Sequence, residues 1–428
     1  ENRTYRYLWT SSLFSFTGMQ MQMVARALLA WELTGSYGAM GLISVSFGLP
    51  MFVFALIGGS LADRFDKRNL TLSSQVVTGV LALINAVMLV TGTITIGWLF
   101  VLGLAGGTSS AIGMPARMPL MAQVVGPQNL MAAMAMSTSA MNATRLFGPA
   151  LAGALAGAWN LESVYFLQTA LYACSVLTML AVPSGIGRMP AGMRRKSMWH
   201  EIGEGISYVA RDHHLRMLNL MMFMVAFFVM PYVTLLAGFV QEDLGKTPRE
   251  YGFLQSVSGA GALVASLGIA SLTAYDRKPL IQWISGLVGG AGMIGLALGS
   301  SAFGFGGALA ATLVLGLSLT VYQTVNSTLT MDAARPEMYG RVMSINMLSF
   351  SAMPLMALPL GQLADAAGVR TVFAAQGILV IAILLVMGVL RPGYTFGRLA
   401  SHAQPVGPAP ARPSRRDDEE APAPAGGK

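Results

Sequence analysis

Charge is what this sequence has least of. Only 11% of its 428 residues are Asp, Glu, Lys or Arg, while 54% are hydrophobic. Soluble domains carry roughly 25% charged residues, so an ordinary water-soluble fold is excluded. Cysteine is nearly absent too: Cys174 stands alone inside an apolar run, which excludes an internal disulfide and fits a small buried hydrophobe. The four histidines, His200, His213, His214 and His402, all fall in predicted loops, helix ends or the C-terminal segment. No histidine–carboxylate cluster exists inside an apolar run, and no Gly-x4-Gly-Lys-Ser/Thr loop occurs, so hydrolysis of ATP within this chain is excluded. Neither an enzyme, a cofactor nor a resident metal is expected. The net charge of +8 could suggest nucleic acid. The basic residues, however, sit in short clusters between apolar stretches, where membrane loops keep them, and no nucleic-acid partner is expected. The first apolar run is too long for a cleavable signal peptide and lacks a small-residue cleavage site.

What the chain does have is long hydrophobic windows. Crossing a hydrocarbon core takes ~20 apolar helical residues, and about twelve such windows recur: near Leu8–Leu33, Ala39–Ala62, Leu70–Thr91, Ile96–Met121, Leu130–Ala158, Ser163–Val182, Leu215–Val240, Tyr251–Thr273, Leu280–Ser300, Phe303–Met331, Val342–Ala364 and Val372–Leu390. The expected class is an all-α polytopic membrane protein of two six-helix bundles, residues 1–182 and 213–391. A polar linker, 183–212, separates them and carries an amphipathic stretch, Trp199–Val209, expected to lie on the membrane surface. Residues 392–428 are rich in Pro, Ala, Gly and charge and are expected to be a disordered tail. Placing both ends and the even-to-odd loops on one side puts about 22 of the 27 Lys and Arg there, with Lys246, Arg249 and Arg370 opposite. Basic residues are retained in the cytoplasm, so both termini are expected there, in the plasma membrane of a bacterium. Asp63-Arg64 has a counterpart in Asp276-Arg277-Lys278, and Pro127 in Pro336, each about half the chain later. Two parallel repeats are the simplest account.

Two charges fall well inside predicted spans, Arg26 and Arg145. A buried arginine costs at least ~2.5 kcal/mol at a helix centre, so it normally faces a cavity or a partner. One reading makes both part of a positive cavity for an anionic group. In the other, Arg26 snorkels toward the interface near Glu32 and Arg145 bonds helix-end carbonyls. The uncharged polar residues within spans include Gln20, Gln22, Asn142, Gln255, Tyr322, Gln323, Asn326 and Asn346; interhelical hydrogen bonds of ~0.6 kcal/mol each account for many such groups. His213, Met217 and Met221 share a helical face and could take copper, but 30 methionines generate such spacings by chance, and adaptable packing is the plainer account.

Gly59-Ser60-Leu61-Ala62-Asp63-Arg64-Phe65-Asp66-Lys67-Arg68 resembles the loop between the second and third helices of the major facilitator superfamily, Gly-x-Leu-Ala-Asp-Arg-x-Gly-Arg-Arg/Lys. It departs at Asp66, where the family usually has Gly. Asn142 to Gly153, with Pro115-Ala116-Arg117, Thr34-Gly35-Ser36 and Gly340 to Ser344, resembles the enterobactin-exporter-like, multidrug-efflux branch. The resemblance implies a secondary transporter working by alternating access, an exporter of a lipophilic or anionic small molecule, monomeric, with proton coupling as an option. It implies gating roles for Gly59, Asp63, Arg64, Lys67 and Arg68 at the start of the eleventh helix, and for Gly148 and Pro149 where the halves meet. The first, fourth, seventh and tenth helices line the cavity in such proteins, which singles out Gln22, Gln323 and Asn326 as substrate-binding candidates beside Arg26, Asn142 and Arg145. The fourth-helix arginine of many proton-coupled members has no counterpart in Leu102–Ile112, and the acidic residue often found in the first helix is Met19. Glu32 and Asp365 remain as proton-coupling candidates. A non-transporting scaffold, or a lipid- or pigment-handling assembly factor with the same fold, is the alternative.

Overall fold

A computed structural model describes residues 3–184, 198–272, 277–335, 338–339, 341–342, 345–346 and 352–390, without the side chains of 55–64, 198–202, 270–272 and 390. Helices account for nearly all of it: α1 (Arg3–Thr34), α2 (Tyr37–Arg64), α3 (Lys67–Val90), α4 (Ile96–Val125), α5 (Leu130–Ala158), α6 (Leu161–Leu180), α7 (Met198–Arg211), α8 (His213–Phe228), α9 (Tyr232–Gly238), α10 (Pro248–Leu272), α11 (Lys278–Ala333), α12 (Met353–Ala367) and α13 (Val369–Leu390). Among the described residues, eight helical stretches are long and apolar enough to cross a membrane. One of them, α11, runs 56 residues and turns back at Gly304, whose φ of 57° is open only to glycine without strain. With α1, α5 and α12 packed among these stretches, the arrangement is consistent with the twelve expected crossings.

Polar residues fix where the rods begin. Asp66 caps α3, its side chain accepting from the backbone N–H of Arg68 and Asn69, so the departure from the superfamily pattern serves as a helix start. Thr95, Asn160 and Asp212 do the same for α4, α6 and α8. At α10, Thr247 donates its backbone N–H to Glu250 Oε2 at 2.9 Å, half of a capping box. The expected seventh span, Leu215–Val240, is broken. Pro231 lacks an N–H and its ring collides with the preceding turn, so α8 stops at Phe228, α9 starts at Tyr232, and a π turn, Phe239–Asp243, follows.

The turns alternate between two ends of the bundle, here named for Ser36 and Asp66. At the Ser36 end the halves meet along two glycine-lined seams, α2 with α12 and α5 with α10. A Cβ on Gly153 would lie 2.6 Å from Gly252 Cα, and one on Gly259 would lie 2.6 Å from the Arg145 carbonyl oxygen. Side chains are excluded there because backbone meets backbone. Gly238 of α9 seats the rings of Trp31 and Tyr37, closing the centre of the same end. These described contacts run from the Ser36 end to about mid-depth. The linker helix α7 is fixed to the C-terminal half rather than only resting on a surface: Glu204 pairs with Arg341 at 2.9 Å, and Tyr208 Oη accepts from the Arg335 N–H. Residues 392–428 lie outside the described residues.

Candidate substrate site and interhalf gate

Three arginines, not two, sit within the rods of the N-terminal half. Arg26 on α1 stands over the Phe47 ring, its Cζ 4.3 Å from the centroid. Arg117 stands over Phe16 at 5.2 Å. The sequence tally had placed Arg117 with the loop residues, but α4 continues to Val125, which leaves Arg117 two turns inside the helix. The predicted fourth span reached Met121, so its position was already the signal. Arg26 and Arg117 both lie within electrostatic range of the Tyr172 hydroxyl. The ring of Tyr172 packs on Gly18. The cation that shares surroundings with Arg26 is therefore Arg117, whereas Arg145 stands apart at the α5–α10 seam.

Arg145 has an exposed side chain on α5, the helix that packs on α10 of the other half. Its backbone carbonyl abuts Gly259 of the other half. Asn142 is half-buried one turn away, nearer the Asp66 end. Among the described residues no carboxylate pairs with Arg26, Arg117 or Arg145; the described ion pairs are Lys278–Asp332, Glu204–Arg341 and Arg370–Asp243. Arg26 Nη1, Tyr165 Oη and both amide atoms of Gln168 are buried without hydrogen-bond partners. Buried polar groups are normally satisfied, and three cations without counter-ions at depth are costly. Such a set has unfilled capacity for an anion.

The remaining candidates divide. Gln22 is half-buried on α1, and Gln323 reaches Met230 Sδ at 3.9 Å beside the α8–α9 break. Asn326 is fully buried and accepts from Gln282 Nε2 at 2.8 Å. In this conformation it joins the two limbs of α11 instead of facing a cavity. Glu32 is exposed at the end of α1. Asp365 accepts from Ser36 Oγ at 2.7 Å and from the backbone N–H groups of Tyr37 and Gly38 at 2.7 and 2.9 Å. Of the gating candidates, the side chains of Asp63 and Arg64 and the surroundings of Gly59 lie outside what is described. Lys67 is buried, and Arg68 bonds the Leu180 carbonyl at 3.1 Å within its own half. Gly148 meets Gln20 of α1 within its own half, while the Pro149 carbonyl abuts Gly252 of α10 in the other half. Of the copper candidates, His213 Nδ1 is already in contact with Arg216 at 3.1 Å.

Residues 1–403 match the family model of the transmembrane secretion effectors. The chain belongs to that family of the major facilitator superfamily. It is a membrane transporter and not an enzyme. Similar curated proteins include the staphyloferrin A transporter of Staphylococcus aureus (21% identical; 89% of this chain, 94% of the relative). Macrolide efflux protein A of Streptococcus pyogenes is 22% identical, with the same coverage, and the multidrug efflux pump Tap of Mycobacterium tuberculosis is 24% identical (88% and 90%). Among solved structures, the nucleoside transporter NupG superposes with a TM-score of 0.72 at 12% identity, over 91% of this chain and 99% of that one. A bacterial homologue of the lysosomal transporter Spinster, inward-facing and unoccupied, gives 0.72 at 13% (94% and 98%). At these identities the structures establish the fold. The sequence-based expectations of the superfamily, the all-α membrane fold and the transporter class agree with these findings, and the scaffold alternative is not favoured by them.

Proposed function

We propose that this transporter exports a lipophilic small molecule bearing an acidic group, by alternating access of a site between its halves. The observation that carries the proposal is Arg145: an exposed cation midway along a membrane rod, its backbone at the α5–α10 seam, with no carboxylate partner among the described residues. Asn142, Gln22 and Gln323 supply neutral polar groups on α5, α1 and α11. Outward transport is supported by relatives named for efflux. The skew of Lys and Arg supports the Asp66 end and both termini being cytoplasmic, in a bacterial inner membrane. The described contacts between the halves gather at the Ser36 end, which supports reading that end as the closed one. Proton antiport is the simplest power source for a chain without an ATP site, with Glu32 and Asp365 as its carboxylates, and a monomer suffices for the cycle.

The test is ligand-induced thermal stabilisation of the purified protein with matched pairs of lipophilic carboxylates and their neutral amides. A ligand that binds only the folded form raises apparent stability by mass action. Acids should stabilise the parent and Arg145→Lys more than the amides do, and Arg145→Gln should erase the difference. Equal stabilisation of parent and Arg145→Gln by the acids would remove the site.

A further inference from the structure

The C-terminal half holds the start of α2 with the carboxylates of Asp365 and Asp243, and Glu242 also faces Tyr37. Asp365, two residues before the end of α12, is the acceptor for Ser36 Oγ, Tyr37 N–H and Gly38 N–H. These are the orphan donors of the first turn of α2, the groups an N-cap normally satisfies from within its own helix. Ser36 Oγ caps the Ala39 N–H from within the helix at 3.2 Å, and the first two donors are capped from the other half. Asp243, at the end of the π turn, accepts from Tyr37 Oη at 3.2 Å and pairs with Arg370 Nε at 3.1 Å. Arg370 is held by Ser301 Oγ at 2.8 Å and by the Asp243 carbonyl at 3.1 Å. Asp243 is thus supported by Arg370 from within the C-terminal half. The sequence underlines the arrangement. Gly361-Gln362-Leu363-Ala364-Asp365 repeats the pattern Gly-x-Leu-Ala-Asp of residues 59–63, so α12 ends toward the Ser36 turn on the same five-residue signature with which α2 ends toward Asp66.

We infer that Asp365 is a trans helix cap that latches the Ser36 end shut, and that breaking it is a required step in opening the central site toward that end. Three charge-assisted bonds and the partial positive charge of a helix start are made only while α2 and α12 touch, so they favour the closed state selectively. The inference rests on the alternating-access reading of the fold. Its test reads conformation without substrate, and its outcome is separable from that of Arg145.

Spin labels at Thr93→Cys and Phe303→Cys, in a Cys174→Ser background, report the separation of the two halves at the Ser36 end in lipid nanodiscs. In the parent a short-distance population should dominate. Asp365→Asn keeps the shape and one acceptor but loses the charge, and should move the ratio of short to long distances toward opening by roughly tenfold. Ser36→Ala removes one of three donors and should shift it a few-fold. Asp365→Glu should fall between parent and Asp365→Asn. An unchanged distribution in a monodisperse Asp365→Asn protein overturns the latch. Should Asp365→Asn not fold, an unchanged distribution in Ser36→Ala and Tyr37→Phe together does so.

Discussion

Gly153→Ala isolates the packing of the α5–α10 seam from any change in charge. The added Cβ would lie 2.6 Å from Gly252 Cα, 2.8 Å from the Pro248 carbonyl oxygen and 2.9 Å from Gly252 N. All three are backbone atoms, so no rotamer can yield. Ordinary contact begins at 3.4 Å, and the helices must therefore part by the difference from 2.6 Å, about 0.8 Å. A gap of that size forfeits a quarter to a half of each neighbouring dispersion well, and overpacking of this kind costs ~1–3 kcal/mol. That cost falls on the state in which the Ser36 end is closed, because only there do the two backbones touch. The population ratio should shift by roughly 5–150-fold toward opening, read with the same label pair by pulsed dipolar spectroscopy in nanodiscs. Gly268→Ala is the control, on the partner helix α10. Nothing lies within 4 Å of its Cβ position, so it should gain ~0.5–1 kcal/mol of helix stability and leave the distances alone. An unshifted distance distribution in a folded Gly153→Ala protein would refute the reasoning. So would a loss of thermal stability equal in both facing states, which would make the seam ordinary core.

Other outcomes follow from the same coordinates. Asn326→Leu strands the Gln282 amide in an apolar interior and should cost ~1–3 kcal/mol in chemical denaturation. The double change with Gln282→Leu should cost less than the sum of the singles, and additive costs would disprove the pairing. Tyr37→Phe removes the hydroxyl that Asp243 accepts while keeping the ring on Gly238, so the label distances should shift a few-fold and thermal stability by at most ~1.5–3 kcal/mol. Arg341→Gln breaks a half-exposed pair with Glu204 worth ~0–1 kcal/mol; its effect should vanish in high salt, and a larger, salt-independent loss would mean that Arg341 contributes by more than its charge.

The fold was largely legible because lipid leaves so few options. Backbone groups must be satisfied internally, so apolar windows of sufficient length become helices, and the predicted limits of Leu130–Ala158 and Ser163–Val182 come within two residues of α5 and α6. Breaks inside apolar runs were harder to read. Pro231 and Gly304 are visible as residues, but whether a proline ends a membrane helix or merely bends it depends on what neighbouring rods supply to the freed groups. At the site, hydropathy singled out Arg26 and Arg145 and passed over Arg117, since a cation two turns from a helix end looks like an interfacial residue until its ring partner Phe16 is seen. Asn326 looked like a cavity residue by helix number alone. Helix number says nothing about which face an amide takes, and Gln282, the partner that decides it, lies 44 positions away. Asp365 was noticed as a carboxylate. Its task was invisible because the donors it serves belong to the Ser36 turn, brought beside it only by the docking of one half on the other.

The bare backbone contact along α5 and α10 carries one more consequence. Attraction between close-packed atoms decays within about an ångström, and where Gly153 meets Gly252 backbone touches backbone, which keeps no hold as the halves separate. A zipper with such short teeth offers nothing to a half-parted intermediate, so this face of the transporter should snap between sealed and agape, with little time spent ajar and correspondingly little leakage of small ions.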